Sequence, residues 1–205
     1  MKLNEVVGPD AEDLYWKNPK VDNLWVLDKL ILSKKLGYVC GPAGIDVPSE
    51  GDYIVRPCLN VFGLGLGAKK MHLKKDTTHL PVGTFWCEWF EGRHLTVDYV
   101  KGKQIRCVEG FKKESTLQHW DKWLKVDDEI PLPSLLEKHF ANEPKLNCEY
   151  IGGKLIEAHF RHNSDFEGDR TEYVPVWKGQ STKAPNGYKY IKDPDVHGRI
   201  GAFVK

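Results

Sequence analysis

An α+β fold dominated by antiparallel strands is predicted by three features of the 205-residue chain: one early amphipathic helix, a meander of alternating segments, and a later hairpin about Gly152-Gly153. Leu24, Val26, Leu27, Leu30, Ile31 and Leu36 recur at helical spacing, with Asp28, Lys29, Ser33, Lys34 and Lys35 between them, and Gly37 ends the helix. Gly41-Pro42-Ala43-Gly44 and Pro48-Ser49-Glu50-Gly51-Asp52 read as turns. Strands follow at Tyr53 to Arg56, Gly83 to Phe90, His94 to Val100 and Lys103 to Glu109, the last three joined by turns at Glu91-Gly92 and Lys101-Gly102. Leu117 to Leu124 is expected to be a short helix, and Ser134 to Ala141 a second one with Ser134 as its N-cap. Leu146 to Tyr150 and Lys154 to Phe160 form the hairpin. Residues 1–23 read as a loosely ordered lead-in, 24–166 as the folded body, and 167–205 as an irregular tail packed on it.

Bulk properties narrow the function. With 40% apolar residues, the chain buries one sizeable core or two small lobes that share a cleft. A formal net charge of +1 creates no general attraction to nucleic acid or to an anionic membrane. Cys40, Cys58, Cys87, Cys107 and Cys148 are odd in number and never in a C-x-x-C pair, which speaks against a disulfide framework or a zinc ribbon and fits reduced thiols in a cytosol. No leader opens the chain, and no apolar run approaches the roughly 18 residues that span a bilayer. A soluble, cytoplasmic protein is expected.

Tyr53-Ile54-Val55-Arg56-Pro57, followed by Gly63-Leu64-Gly65-Leu66-Gly67-Ala68, puts a fixed cation at the end of an apolar strand and a glycine-rich loop behind it. Glycines let backbone N–H groups close on phosphate oxygens, and guanidinium adds a forked donor that does not titrate. A glycine-rich turn between strands looks the same, so the surroundings decide.

Four segments appear in a telling order: Leu27-Asp28-Lys29-Leu30; the Val55-Arg56-Pro57 strand end with its loop; Phe85 to Asp98; and Leu155-Ile156-Glu157-Ala158-His159-Phe160-Arg161. Together they resemble the ATP-grasp superfamily of nucleotide-dependent ligases over residues 24 to 165. In that family a helix begins with Asp-Lys, a strand ends in Lys-Pro before a glycine loop, a hinge strand reads roughly Glu-aromatic-aliphatic-x-Gly, and a late strand carries Glu-x-Asn-x-Arg. The resemblance implies two antiparallel-sheet lobes clamping a nucleotide, with ATP and Mg2+ or Mn2+ as cofactors.

Carried over by position, the resemblance makes Lys29 the first phosphate lysine and Arg56 the second phosphate cation, where the family has lysine. Guanidinium can hold two phosphate oxygens at once, so that exchange is compatible with nucleotide binding. Gly63, Gly65, Gly67 and Ala68 become the loop over the triphosphate, with Lys69 and Lys70 just after it. Cys87 to Phe90 becomes the adenine hinge, in which edge-strand backbone groups pair with the base while Trp89 and Phe90 line an apolar slot. Glu88 or Glu91 would reach the ribose, and His94 holds a position where the family often has another ribose contact.

On the late strand Glu157 and a residue two positions on share one face, the arrangement a metal needs. Here that residue is His159 rather than asparagine, and imidazole suits manganese or zinc better than magnesium. Glu149 supplies the other carboxylate, with Asp98 behind it, and Arg161 would stabilise charge on the transferred group. His162, Asn163 and Asp165 complete a polar run that reads either as cleft or as surface loop.

The implied reaction activates a carboxylate as an acyl phosphate and passes the acyl group to an amine or another nucleophile. Partners are then nucleotide and small carboxylate and amine substrates. Only about 23 residues precede the first motif, so the family's N-terminal domain is expected to be missing, with substrate selection coming from the C-terminal tail, another subunit or a protein partner that replaces it. The compact, aromatic-rich chain also resembles short ATP-grasp-like proteins of tailed bacteriophages, which would place it in a host cytoplasm. One rival is a nucleotide-binding pseudoenzyme acting as a sensor or interaction module. Another is nucleic-acid binding through Lys69, Lys70, Lys74, Lys75, Lys112 and Lys113, against which the near-neutral charge counts.

Overall fold

A computed structural model describes residues 21–59, 65–112, 117 and 119–205. Among them, two antiparallel sheets carry most of the chain. The smaller contains β1 (Cys40–Pro42), β2 (Gly51–Pro57), β3 (Lys69–Leu73) and β4 (Thr84–Glu88), in the order β1-β4-β2-β3. The larger contains β5 (His94–Val100), β6 (Lys103–Phe111), β7 (Lys122–Val126), β8 (Leu146–Ile151), β9 (Lys154–His159), β10 (Glu172–Trp177), β11 (Lys189–Val196) and β12 (Arg199–Val204). Its order is β11-β12-β10-β7-β6-β5-β8-β9.

The expected opening helix is two pieces. A 3-10 segment, Val21–Leu27, precedes α1 (Lys29–Lys35), and Asp28 separates them by accepting hydrogen bonds from the backbone N–H groups of Leu30 and Ile31 at 2.9 and 3.0 Å. A short side chain that binds its own downstream N–H groups favours a cap over a helix interior. Gly37, at φ +77°, ends the turn as expected. The second helix is α2 (Ser134–Phe140); the expected cap at Ser134 falls instead on Pro133, which makes no side-chain cap bond.

Strand alternation positions everything else. Leu95, Val97 and Tyr99 of β5 point into the main core with Cys148 and Tyr150 of β8, Leu155 and Ala158 of β9, and Val26, Leu27, Leu32, Leu136 and Phe140 from the helical segments. Each such large side chain contributes about 1.5–3 kcal/mol of burial. The intervening His94, Thr96 and Asp98 belong to the opposite face by the period of two. A second core, with Val55, Tyr53, Leu73 and Trp86, lies in the small sheet.

Four expectations are corrected. The short helix expected over Leu117 to Leu124 is replaced by β7, which fills the space between β6 and β10. Residues 167–205 are not an irregular tail: β10, β11 and β12 extend the large sheet, because Tyr173, Ala202 and Val204 bury against Val108 and Phe166. Cys40–Pro42, read as part of a turn, pairs with Phe85 to Cys87 as β1. That pairing covers the edge of β4 at Cys87, so the hinge expected over Cys87 to Phe90 is not an open strand edge there, while Trp89 and Phe90 lie beyond β4. All five cysteines are free thiols, as the sequence suggested. Among the described residues, no helix is long and apolar enough to cross a membrane.

Candidate functional site

A β-bulge builds the centre of the site. Along β8 and β9 the pairing shifts from Tyr150↔Leu155 to Glu149↔Glu157, leaving Ile156 as the extra residue. Leu155 and Ala158 therefore face the core while Glu157 and His159 face away from it, beside Glu149. Two carboxylates directly opposite one another repel and need nearby cations.

The cations come from the other end of the chain. Lys29 opens α1, and its backbone N–H donates to the Cys58 carbonyl at 2.8 Å, fixing the helix to the end of β2. Its ammonium lies 3.2 Å from Glu157 Oε2, with both residues buried. Arg56, on β2, reaches across to donate from Nη2 to the Ile156 carbonyl at 3.0 Å, while its guanidinium stacks 5.2 Å from the centre of the Phe85 ring. The bulge that turns Glu157 outward thus also presents the carbonyl that holds Arg56.

His159 Nε2 stands 3.1 Å from Glu157 Oε1 and 3.9 Å from Glu149 Oε1, and His94 Nε2 stands 3.3 Å from Glu149 Oε2. Candidate ligand atoms of Glu149, Glu157 and His159 lie within 4.8 Å of one another. Although close to His159, buried Glu157 Oε1 makes no hydrogen bond of normal geometry, and Arg56 Nε likewise has no acceptor. Burial by itself would raise the Glu157 carboxyl, but Lys29, His159 and Arg56 hold it well below the usual range. Glu149 is also lowered: burial is the largest influence and works upward, as does repulsion from Glu157, but the hydrogen bond with His94 and the charges of His94 and His159 together outweigh them. Desolvation lowers Arg56, opposed first by Glu157.

The glycine loop joins β2 to β3. Gly63 lies outside the described residues. Gly65 and Gly67 adopt φ of +65° and +83°, and Ala68 N–H donates to the Gly65 carbonyl at 3.0 Å, so the loop ends in a tight turn that requires glycine. Lys70 contacts Asp52 at 3.0 Å and lies 4.6 Å from the Trp89 ring centre. Glu88 is tied to Val39: its carboxylate accepts from Val39 N–H and its own N–H donates to the Val39 carbonyl, both at 2.9 Å. Trp89 to Arg93 form the link between the two sheets, with Phe90 edge-on to Tyr38 at 4.9 Å. His94 is edge-on to Trp120 and Trp123, at 4.7 and 5.6 Å.

Other expected residues make contacts of their own. Asp98 is saturated by Arg106, the Asn147 side chain and the Asn163 backbone, which leaves it no ligand role. Arg161 follows the end of β9, where its Nη1 reaches the His162 carbonyl at 3.5 Å; burial raises neighbouring Asp165, opposed first by Arg199 and weakly by the charge of Arg161. His162 contacts the Tyr99 carbonyl at 3.1 Å and Asp165 pairs with Arg199 at 3.0 Å, so the polar run after β9 fastens the C-terminal strands to β5. Sequence reasoning missed Arg106 and the Trp120/Trp123 pair; the latter's only signal was two tryptophans three residues apart.

No family model and no curated protein matches the sequence. Among solved structures, carboxyaminoimidazole ribonucleotide synthase from Aspergillus clavatus complexed with ATP is similar at TM-score 0.55 and 12% identity, covering 94% of this chain and 72% of that one. N5-carboxyaminoimidazole synthetase from Staphylococcus aureus follows at TM-score 0.54 and 11% identity, covering 88% and 67%. An ATP-grasp superfamily protein from Archaeoglobus fulgidus matches at TM-score 0.47 and 16% identity over 79% of this chain; the chain spans only 61% of that protein's length. The fold of this chain is ATP-grasp-like.

Proposed function

We propose that this chain is an ATP-dependent ligase of carboxylate–amine type. The observation that carries this reading is the meeting of Lys29 and Arg56 with Glu149, Glu157 and His159 between the two sheets. In the reaction, one oxygen of the substrate carboxylate attacks the γ-phosphorus of ATP, the bond to the β–γ bridging oxygen breaks, and ADP leaves with the electron pair. An amine then attacks the acyl carbon, the C–O bond to phosphate breaks, inorganic phosphate departs, and the amine loses a proton to solvent.

Lys29 and Arg56 hold the phosphates, the loop with Gly63, Gly65, Gly67 and Ala68 excludes water, and Arg161 stabilises the transferring group. Trp89, Phe90 and Glu88 border the base and ribose, while His94 orients Glu149. Glu149, Glu157 and His159 suit a divalent metal, since a buried carboxylate oxygen without a hydrogen bond is a ready ligand. Such an ion neutralises phosphate charge when bound. Two carboxylates and one imidazole favour Mn2+ relative to Mg2+.

A second reading, a nucleotide-binding module without turnover, is favoured by the engagement of Arg56 with Ile156. Two measurements separate the readings. Thermal unfolding with ATP plus Mn2+ or Mg2+ should show a gain of about 2.7 kcal/mol at a hundred times the dissociation constant. ADP release with a panel of carboxylates and amines should show steady turnover for a ligase and none for the module; no stabilisation by ATP sinks both.

A further inference from the structure

Beside Glu149 the cleft face of the large sheet is paved with indole. Gly110 pairs with His94 across β5 and β6, and a Cβ at Gly110 would lie 2.6 Å from ring carbons of both Trp120 and Trp123. The two tryptophans therefore cover this glycine, 4.3 Å apart between ring centres, half-buried, and edge-on to His94. Lys112, two residues further along from Gly110, holds its ammonium 4.8 Å from the Trp120 ring centre. Desolvation lowers the Lys112 ammonium, and no described carboxylate forms an ion pair with it. His94 Nδ1, at the inner end, is buried without a hydrogen-bond partner. An aromatic surface with a cation beside it that no described carboxylate pairs with is complementary to a planar anion.

We propose that the shelf formed by Trp120 and Trp123, with Lys112 and His94 at its ends, binds the carboxylate substrate and that this substrate is an aromatic acid. The assignment of that acid as substrate rests on the ligase reading; its binding does not. The ring stacks on the indoles and the carboxylate lies between Lys112 and the phosphate-handling centre.

The test uses the full chain and three probes: benzoate, benzamide, which lacks the charge, and cyclohexanecarboxylate, which lacks the π face. Calorimetric titration should show benzoate binding roughly tenfold more tightly than either analogue. Trp120→Ala and Lys112→Met should each remove roughly that tenfold advantage while stabilisation by ATP and Mn2+ is retained. Equal binding of benzoate and cyclohexanecarboxylate, or benzoate affinity unchanged in both variants, overturns the proposal. If Trp120→Ala does not fold, Lys112→Met with the charge comparison decides. Stabilisation by ATP and Mn2+ without benzoate binding removes the shelf alone; benzoate binding without any response to ATP removes the ligase reading and leaves the shelf.

Discussion

Lys29 and Glu157 form a buried ion pair, 3.2 Å between Nζ and Oε2, that joins the first turn of α1 to a strand near the far end of the sequence. Removing one partner leaves an uncompensated charge where water cannot reach, which typically costs about 3–5 kcal/mol, whereas removing both costs less. Lys29→Met and Glu157→Gln should each lower stability by about 3 kcal/mol in urea unfolding, and the double variant should recover part of the loss. Additive losses would mean that the pair is not coupled.

The same pair opposes metal binding in the free protein, because Lys29 already neutralises Glu157. Lys29→Met should therefore bind Mn2+ more tightly than the parent in the absence of nucleotide, measured by the loss of free Mn2+ signal in electron paramagnetic resonance. Glu157→Ala should abolish the metal-dependent part of ATP stabilisation, and His159→Asn should shift the response toward Mg2+. An unchanged metal preference in His159→Asn would remove His159 from the ligand set.

Gly152 is held against the link between the sheets. At φ +54°, a Cβ there would lie 2.0 Å from the Glu91 carbonyl oxygen, and its N–H donates to the Arg93 carbonyl at 3.0 Å. Gly153, at φ +78°, would place a Cβ in open space. Gly152→Ala should cost about 3 kcal/mol or more from overlap plus backbone strain, and Gly153→Ala about 1–2 kcal/mol from strain alone. Equal melting temperatures for the two variants would contradict the close docking of this turn.

His72 lies between Asp52, at 2.9 Å from Nδ1, and Glu50, at 3.1 Å from Nε2. Hydrogen bonds to Asp52 first and Glu50 second raise its pKa above the ordinary value of about 6.5. Because the folded ring keeps its proton more firmly, its contribution to stability is complete below the unfolded pKa and disappears as pH rises through the folded one. Titration followed by NMR should place the midpoint above that of a free histidine, and Asp52→Asn should lower it. A midpoint unmoved by Asp52→Asn would show that the contact does not persist in solution.

Much of this molecule was legible in the sequence because period and turn chemistry act locally. The meander from His94, the hairpin at Gly152-Gly153 and the glycine turn before β3 follow from alternation and from positions that tolerate positive φ. The order of Lys29, Arg56 and Glu157 was equally readable. The helix expected at Leu117 to Leu124 was not, because two tryptophans three apart match helical spacing, whereas Trp120 precedes β7 and only Trp123 belongs to it, both covering Gly110.

Composition, strand alternation and motif order were properties of the sequence by itself, since each depends on neighbours a few residues away. Tertiary structure alone decided that β1 covers β4, that residues after 167 enter the large sheet, and that a bulge at Ile156 turns Glu157 toward Lys29 while offering its carbonyl to Arg56. Those outcomes depend on which distant surfaces bury one another and where opposite charges meet out of water, and no local pattern encodes that choice.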